Sequence, residues 1–252
     1  MLATFDGFFW AVAALVALLF LQRALHREIQ AIILIATRNP GITMLAFSLI
    51  FLPGVFLHEL SHLVSAKLLG VRTGKFSLIP TVLPNGRLQL GYVEAAHTDI
   101  ARDSLVGLAP LISGILFVAY VAMEQLYLVV MWDTLRNGQW ELFSMGLRIL
   151  PTIPDFWLWF YLTFAVSSTM MPSESDRHAW MPLGVVSGVL FGLVLLTGAG
   201  PWMLEHLAPS LNEFLRGTAL ILLVSIIVHG LLVLPLLLIH RLLTRITGLD
   251  IG

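Results

Sequence analysis

Apolar residues run along this chain in blocks long enough to cross a bilayer, interrupted by short polar stretches. A membrane-spanning helix needs about 20 predominantly apolar residues. The blocks at 8–22, 42–69, 105–131, 155–171, 182–198 and 218–240 therefore predict about six transmembrane helices. Residues 23–38 begin polar and turn apolar, so they either lengthen the first span or lie as an amphipathic helix at the interface. Asn39-Pro40-Gly41 then breaks the helix. Between the second and third spans the period changes. Residues 74–95 (GKFSLIPTVLPNGRLQLGYVEA) alternate in part around Asn85-Gly86, which predicts a type I′ turn in a short β-hairpin beside the membrane. The stretch 132–154 reads as a loop, and tryptophans such as Trp132, Trp157 and Trp202 fall near span ends, as interfacial anchors do.

The expected fold is thus an all-α polytopic membrane protein, a single transmembrane domain over residues 1–252, with a hairpin at about 74–95 and no separate soluble domain. Composition agrees. The chain is 58% hydrophobic and only 12% charged, with a mean hydropathy of +0.91, whereas soluble domains average about 25% charged. The N-terminal MLATFDGFFW lacks a basic n-region and a small-residue cleavage site, so the first block reads as a retained span. A net charge of −1 supplies no basic field for nucleic acid. If the hairpin side is cytoplasmic it holds Lys67, Arg72, Lys75, Arg87, Arg102, Arg177, Arg241 and Arg245 against Arg23, Arg27, Arg38, Arg136, Arg148 and Arg216 on the other, a slight excess that leans toward the cytoplasm of a prokaryotic plasma membrane.

One apolar run carries chemistry. In VFLHELSHLV, residues 55–64, His58, Glu59 and His62 stand inside a predicted span, where ionisable groups are costly and mark function. His58 and His62 are four apart and lie on one face of a helix, so both imidazoles can reach one zinc ion. Glu59 does not share that ligand position and suits a general base acting on a water at the metal. With no Cys in the chain, any further ligand is His, Asp or Glu. A catalytic zinc takes three protein ligands and keeps one position open. From Gly41 to His58 is about 25 Å of helix, so the histidines lie toward the C-terminal end of the second span. A ligand near the C-terminal end of the parallel fourth span meets them at the same depth. Asp176 fits, whereas Asp155 and Glu124 fall at the wrong depth. His229, midway along the last span, stays open, with a packed histidine bonded to a backbone carbonyl as its simpler explanation. Pro172 and the small polar residues after it break the helix before Asp176, and irregular backbone at membrane depth belongs where it lines a wet cavity.

HELSH within a span, a following hairpin, LVGLAPLISGI at 105–115 and a distant Pro172…Asp176 element together resemble the site-2 protease family of intramembrane zinc metalloproteases. The resemblance covers about residues 42–180. It implies one catalytic zinc held by His58, His62 and Asp176, with Glu59 as catalytic base. It further implies hydrolysis of a peptide bond within or near a transmembrane segment of a membrane-protein substrate. The match departs from the family in two places. Ser175-Asp176-Arg177 replaces the family's Leu-Asp-Gly, and Ser167 or Ser168 stands near the position of its asparagine. Gly107, Pro110 and Gly114 match its helix of small residues and proline, a pattern that close packing alone also explains. Two other readings of the residues are a non-proteolytic membrane protein with a structural or regulatory zinc, with His229 or Glu174 as fourth ligand, and a small transporter. The transporter reading lacks the repeated halves such proteins show.

Overall fold

The computed structural model describes residues 5–82 and 88–249. The chain is a helical, multi-pass membrane protein with a small antiparallel β element. Four helices are long and apolar enough to cross a bilayer: α1 (Asp6–Thr37), α2 (Pro40–Leu68), α3 (Ile100–Tyr120, prolonged by a π-helical turn to Gln125) and α9 (Ala208–Thr247). Two sharply bent pairs bring the candidates to six. These are α5 (Trp140–Ile149, with the 3₁₀ turn after it) with α6 (Phe156–Thr169), at 91°, and α7 (Trp180–Leu196) with α8 (Gly200–His206), at 107°. The stretch 132–154 is not a loop. It holds the end of α4 (Leu128–Arg136), then α5, whose apolar side chains sit at the surface rather than in the core.

Residues 23–38 lengthen the first span: α1 continues to Thr37 and stops where Arg38 turns left-handed. Asn39 then caps α2, its side chain accepting from the Gly41 and Ile42 amides. Pro40 fills the first helical position, where a missing N–H is harmless. After α2 the chain forms β1 (Thr73–Ser77), β2 (Thr81–Val82), β3 (Leu88–Gln89) and β4 (Tyr92–Ala95), with β1 paired to β4 and β2 to β3. The Asn85-Gly86 turn lies outside the described residues.

Helix directions follow from their contacts. α1 and α9 run parallel, with Asp6 bound to Asn212 and Arg216 at one end and Glu28 to His240 at the other. α2 and α6 run parallel too. Tyr161 donates to the Ile50 carbonyl, Gly54 packs on Ala165, and His58 meets the Thr169 carbonyl, the two hydrogen-bonded pairs sharing a sequence offset of 111. Both bundles share a core in which Leu25, Phe47, Phe51, Phe164 and Val228 interlock. Because α1 and α9 point the same way, six alternating crossings do not describe the chain. The end of α6 packs, through Met170, against Leu222, about 21 Å along α9 from Ala208. Large apolar side chains such as Phe20, Leu116 and Leu234 point outward, two-thirds exposed, where lipid rather than water suits them.

Gly54 sets the α2–α6 separation: a Cβ there would collide with the Ala165 carbonyl and the Thr169 hydroxyl. Overpacking of this kind costs about 1–3 kcal/mol. Gly54→Val is therefore expected to lower the thermal midpoint of the purified protein by roughly 2–12 °C. A melt unchanged from wild type would show that the two helices are not held at this distance by the missing side chain.

Candidate metal centre

The sequence places His58 and His62 one turn apart on α2, facing α3 and the end of α6. Each imidazole is fixed by a backbone carbonyl. His58 Nδ1 lies 2.7 Å from the Thr169 oxygen and His62 Nδ1 2.9 Å from the Val106 oxygen. A carbonyl only accepts, so both Nδ1 atoms carry the hydrogen and both Nε2 atoms present lone pairs. Why these carbonyls are available is written in the chain. Val106 stands four residues before Pro110, which has no N–H to offer it. Thr169 is the last residue of α6, and the final four carbonyls of a helix have no partner within it. Another of those four, on Ser167, accepts from the Gln22 side chain of α1.

Asp176 joins the histidines from the irregular segment after α6. His62 Nε2 is 3.3 Å from its Oδ1, His58 Nε2 is 3.7 Å from its Oδ2, and the two Nε2 atoms are 3.2 Å apart. Donors bound to zinc at about 2.0–2.1 Å lie about 3.3–3.4 Å from one another at tetrahedral angles. Two imidazole lone pairs and a carboxylate converge at this spacing with their other atoms already committed, so the donor set fits zinc. Among the described residues no fourth His, Asp or Glu donor comes within 4.8 Å of all three.

The carboxylate is held by its own turn. The Ser173 amide donates to Oδ2 at 2.6 Å, and the Ser173 hydroxyl accepts from the Asp176 amide. Gly107 is the reason the segment can come so close: a Cβ there would overlap the Asp176 carbonyl. Gly114 likewise admits Met170. The pattern of small residues in α3 is thus a packing surface for the chain segment that carries Asp176.

Glu59 is buried and lines a cavity of about 630 Å³ that also holds the three donors. Gly91 in the hairpin packs over it, where a Cβ would stand 3.0 Å from the Glu59 Cγ. The strand residues Leu88–Val93 form one wall of this cavity. Among the described residues β4 pairs with β1 alone.

The other candidates lie elsewhere. His229 is fully buried on α9 and bonds through Nδ1 to the Ser225 carbonyl and through Nε2 to Ser168 Oγ. Asp155 begins α6, about 21 Å from Thr169 along the helix, and Glu124 lies about 27 Å from Val106 along α3. Glu174 lines the cavity outside the triad. Residues not anticipated from the sequence also appear. His26 reaches the cavity from α1, its Nε2 buried without a hydrogen-bond partner. His97, Asp103 and His178 form a second cluster at the cavity's edge. The spacing of Val106 from Pro110 was a readable signal for a free carbonyl, while nothing local marks His26 or pairs His97 with His178.

The fold and site thus define a polytopic membrane protein with a buried His-His-Asp donor set open to a cavity. Comparison with family models, curated proteins and solved structures finds no match to this chain.

Pro110→Ala would return an N–H to the Val106 carbonyl and take that acceptor from His62. Loss of such a supporting bond typically lowers metal affinity about 10–100-fold, while the helix itself gains a hydrogen bond. Chelator competition should therefore show weaker zinc binding in a protein whose melt is no lower than wild type. Equal affinity would mean that His62 is oriented without Val106.

Proposed function

We propose that the protein is an intramembrane zinc metalloprotease of the site-2 protease kind, cleaving a peptide bond within or near a transmembrane segment of another membrane protein. The observation that carries this reading is the three-donor set left open on the side of the cavity where Glu59 sits. A structural zinc closes its shell with four protein ligands, whereas a catalytic one keeps a position free.

His58, His62 and Asp176 would hold the ion. Zinc in such a site supplies a Lewis acid that polarises a carbonyl and makes water nucleophilic near neutral pH. Glu59 acts from beside the triad: its carboxylate takes the proton of the attacking water and gives it to the departing amide nitrogen. The Thr169 and Val106 carbonyls keep both imidazoles in the tautomer that presents Nε2. A helical substrate hides its peptide bonds, so the segment must unwind before it is cut. The strand wall at 88–93 offers an edge on which an extended segment can pair. The proteolytic core spans about 42–180, and the basic residues beside the hairpin turn that face of the core toward the cytoplasm.

Two variants test the reading. His58→Ala should lose the zinc equivalent held by His62 and Asp176. Glu59→Gln should keep it, yet cut reconstituted single-span substrates at least about 100-fold more slowly. Undiminished cleavage by Glu59→Gln would sink the proposed mechanism. Zinc retained by a wild-type protein that cleaves none of a broad panel of single-span peptides would favour a structural or regulatory metal instead.

A further inference from the structure

His97, Asp103 and His178 come from three separate segments: the connection after β4, the first turn of α3, and the stretch between Asp176 and α7. Their ligand atoms nevertheless converge. His97 Nδ1 is 3.3 Å and His178 Nε2 3.2 Å from the same Asp103 oxygen, Oδ2. Asp103 Oδ1 is already occupied by the Thr98 amide at 3.0 Å and the Thr98 hydroxyl at 2.9 Å. That leaves Oδ2 for the imidazoles. His178 Nδ1 donates to the Ser175 carbonyl at 2.6 Å, so Nε2 is the nitrogen turned to the cluster. The two rings meet edge to face, with centroids 4.7 Å apart. This repeats the logic of the first centre: a ligand histidine fixed through its far nitrogen, and a carboxylate fixed through its far oxygen.

We propose that His97, Asp103 and His178 form a second binding site for a zinc-class divalent ion, at the edge of the cavity. Two imidazoles and one carboxylate suit zinc, copper or nickel and not magnesium or calcium, which take oxygen ligands. The side chain of His97 is 80% exposed, so water completes the shell and the ion exchanges more readily than at His58, His62 and Asp176. The site has a structural consequence. His178 follows Asp176 by two residues, so an ion held here ties the segment bearing Asp176 to α3 and to the chain leaving the hairpin. The inference does not depend on proteolysis, since it requires no reaction at Glu59.

Metal counting on the full-length protein in bilayer discs tests it, with zinc as the only added ion and equilibrium dialysis through the micromolar range. Wild type should bind two equivalents. His97→Ala/His178→Ala should bind one, and His58→Ala/His62→Ala should bind one, with lower affinity. Asp103→Asn keeps the side-chain shape and should weaken the second equivalent at least tenfold, which guards against misfolding of the double variant. A wild-type count of one that is lost with His58 and His62 overturns the second site and leaves the first standing. A count of one lost with His97 and His178 supports the second site and removes the first. Two equivalents retained by His97→Ala/His178→Ala with unaltered affinity would overturn the proposal.

Discussion

The site rests on one constraint: in a bilayer, each backbone carbonyl must find a donor within the protein. Pro110 withholds a donor from Val106 in the middle of α3, and the end of α6 withholds one from Thr169. Both vacancies are met by imidazole N–H groups from α2, His62 and His58. The exchange works in two directions. The carbonyls are satisfied at depth, and the histidines lose their freedom to rotate or change tautomer. What would be a defect in either helix alone becomes the scaffold that aims two Nε2 atoms at one point. Gln22 does the same for Ser167, which couples α1 to the end of α6 beside the site.

Such bonds need backbones to approach closely, and three glycines permit it. Gly54 admits α6, Gly107 the Asp176 segment and Gly114 Met170. The parallel register of α2 and α6 then brings His58 to the last turn of α6, just before the chain becomes irregular. Depth follows from α9. Leu222 packs with Met170 and Leu18 at the level of the site. At about 1.5 Å per residue it lies about 9 Å from Arg216 and about 27 Å from His240. The charged groups at these ends are thus about 36 Å apart along α9, somewhat more than the roughly 30 Å of a hydrocarbon core.

Much of this was legible. HELSH announces two donors on one helical face, and the direction of the spans selects Asp176 over Asp155 and Glu124, because direction and rise are set by covalent geometry. The hairpin follows from the change in period at 74–95. The number of crossings was less legible: four helices are long enough to span, and six only if each bent pair counts as one. Hydropathy measures length and apolarity, and α5, α7 and α8 have apolar residues without the straight path a crossing needs. The loop expected at 132–154 fails for the same reason: amphipathic helices such as α5 put polar residues among apolar ones and read as connection. His26 and the pairing of His97 with His178 are non-local, made by helices and loops that only the tertiary fold brings together.

The two His/Asp clusters show how burial separates groups of the same chemistry. At His58, His62 and Asp176 each side chain is only about one-tenth exposed, so the converging lone pairs are poorly solvated and a bound cation would relieve them. At His97, Asp103 and His178 the carboxylate is equally sheltered but the imidazoles are open to solvent. The stretch from Met170 to Ala179 has no regular helix to stiffen it and carries a member of each cluster. Its position is therefore set by what those side chains bind, more than by its own backbone. Asp176 is held where α2 needs it because Gly107 leaves room, Ser173 fixes the carboxylate, and His178 anchors the chain two residues on.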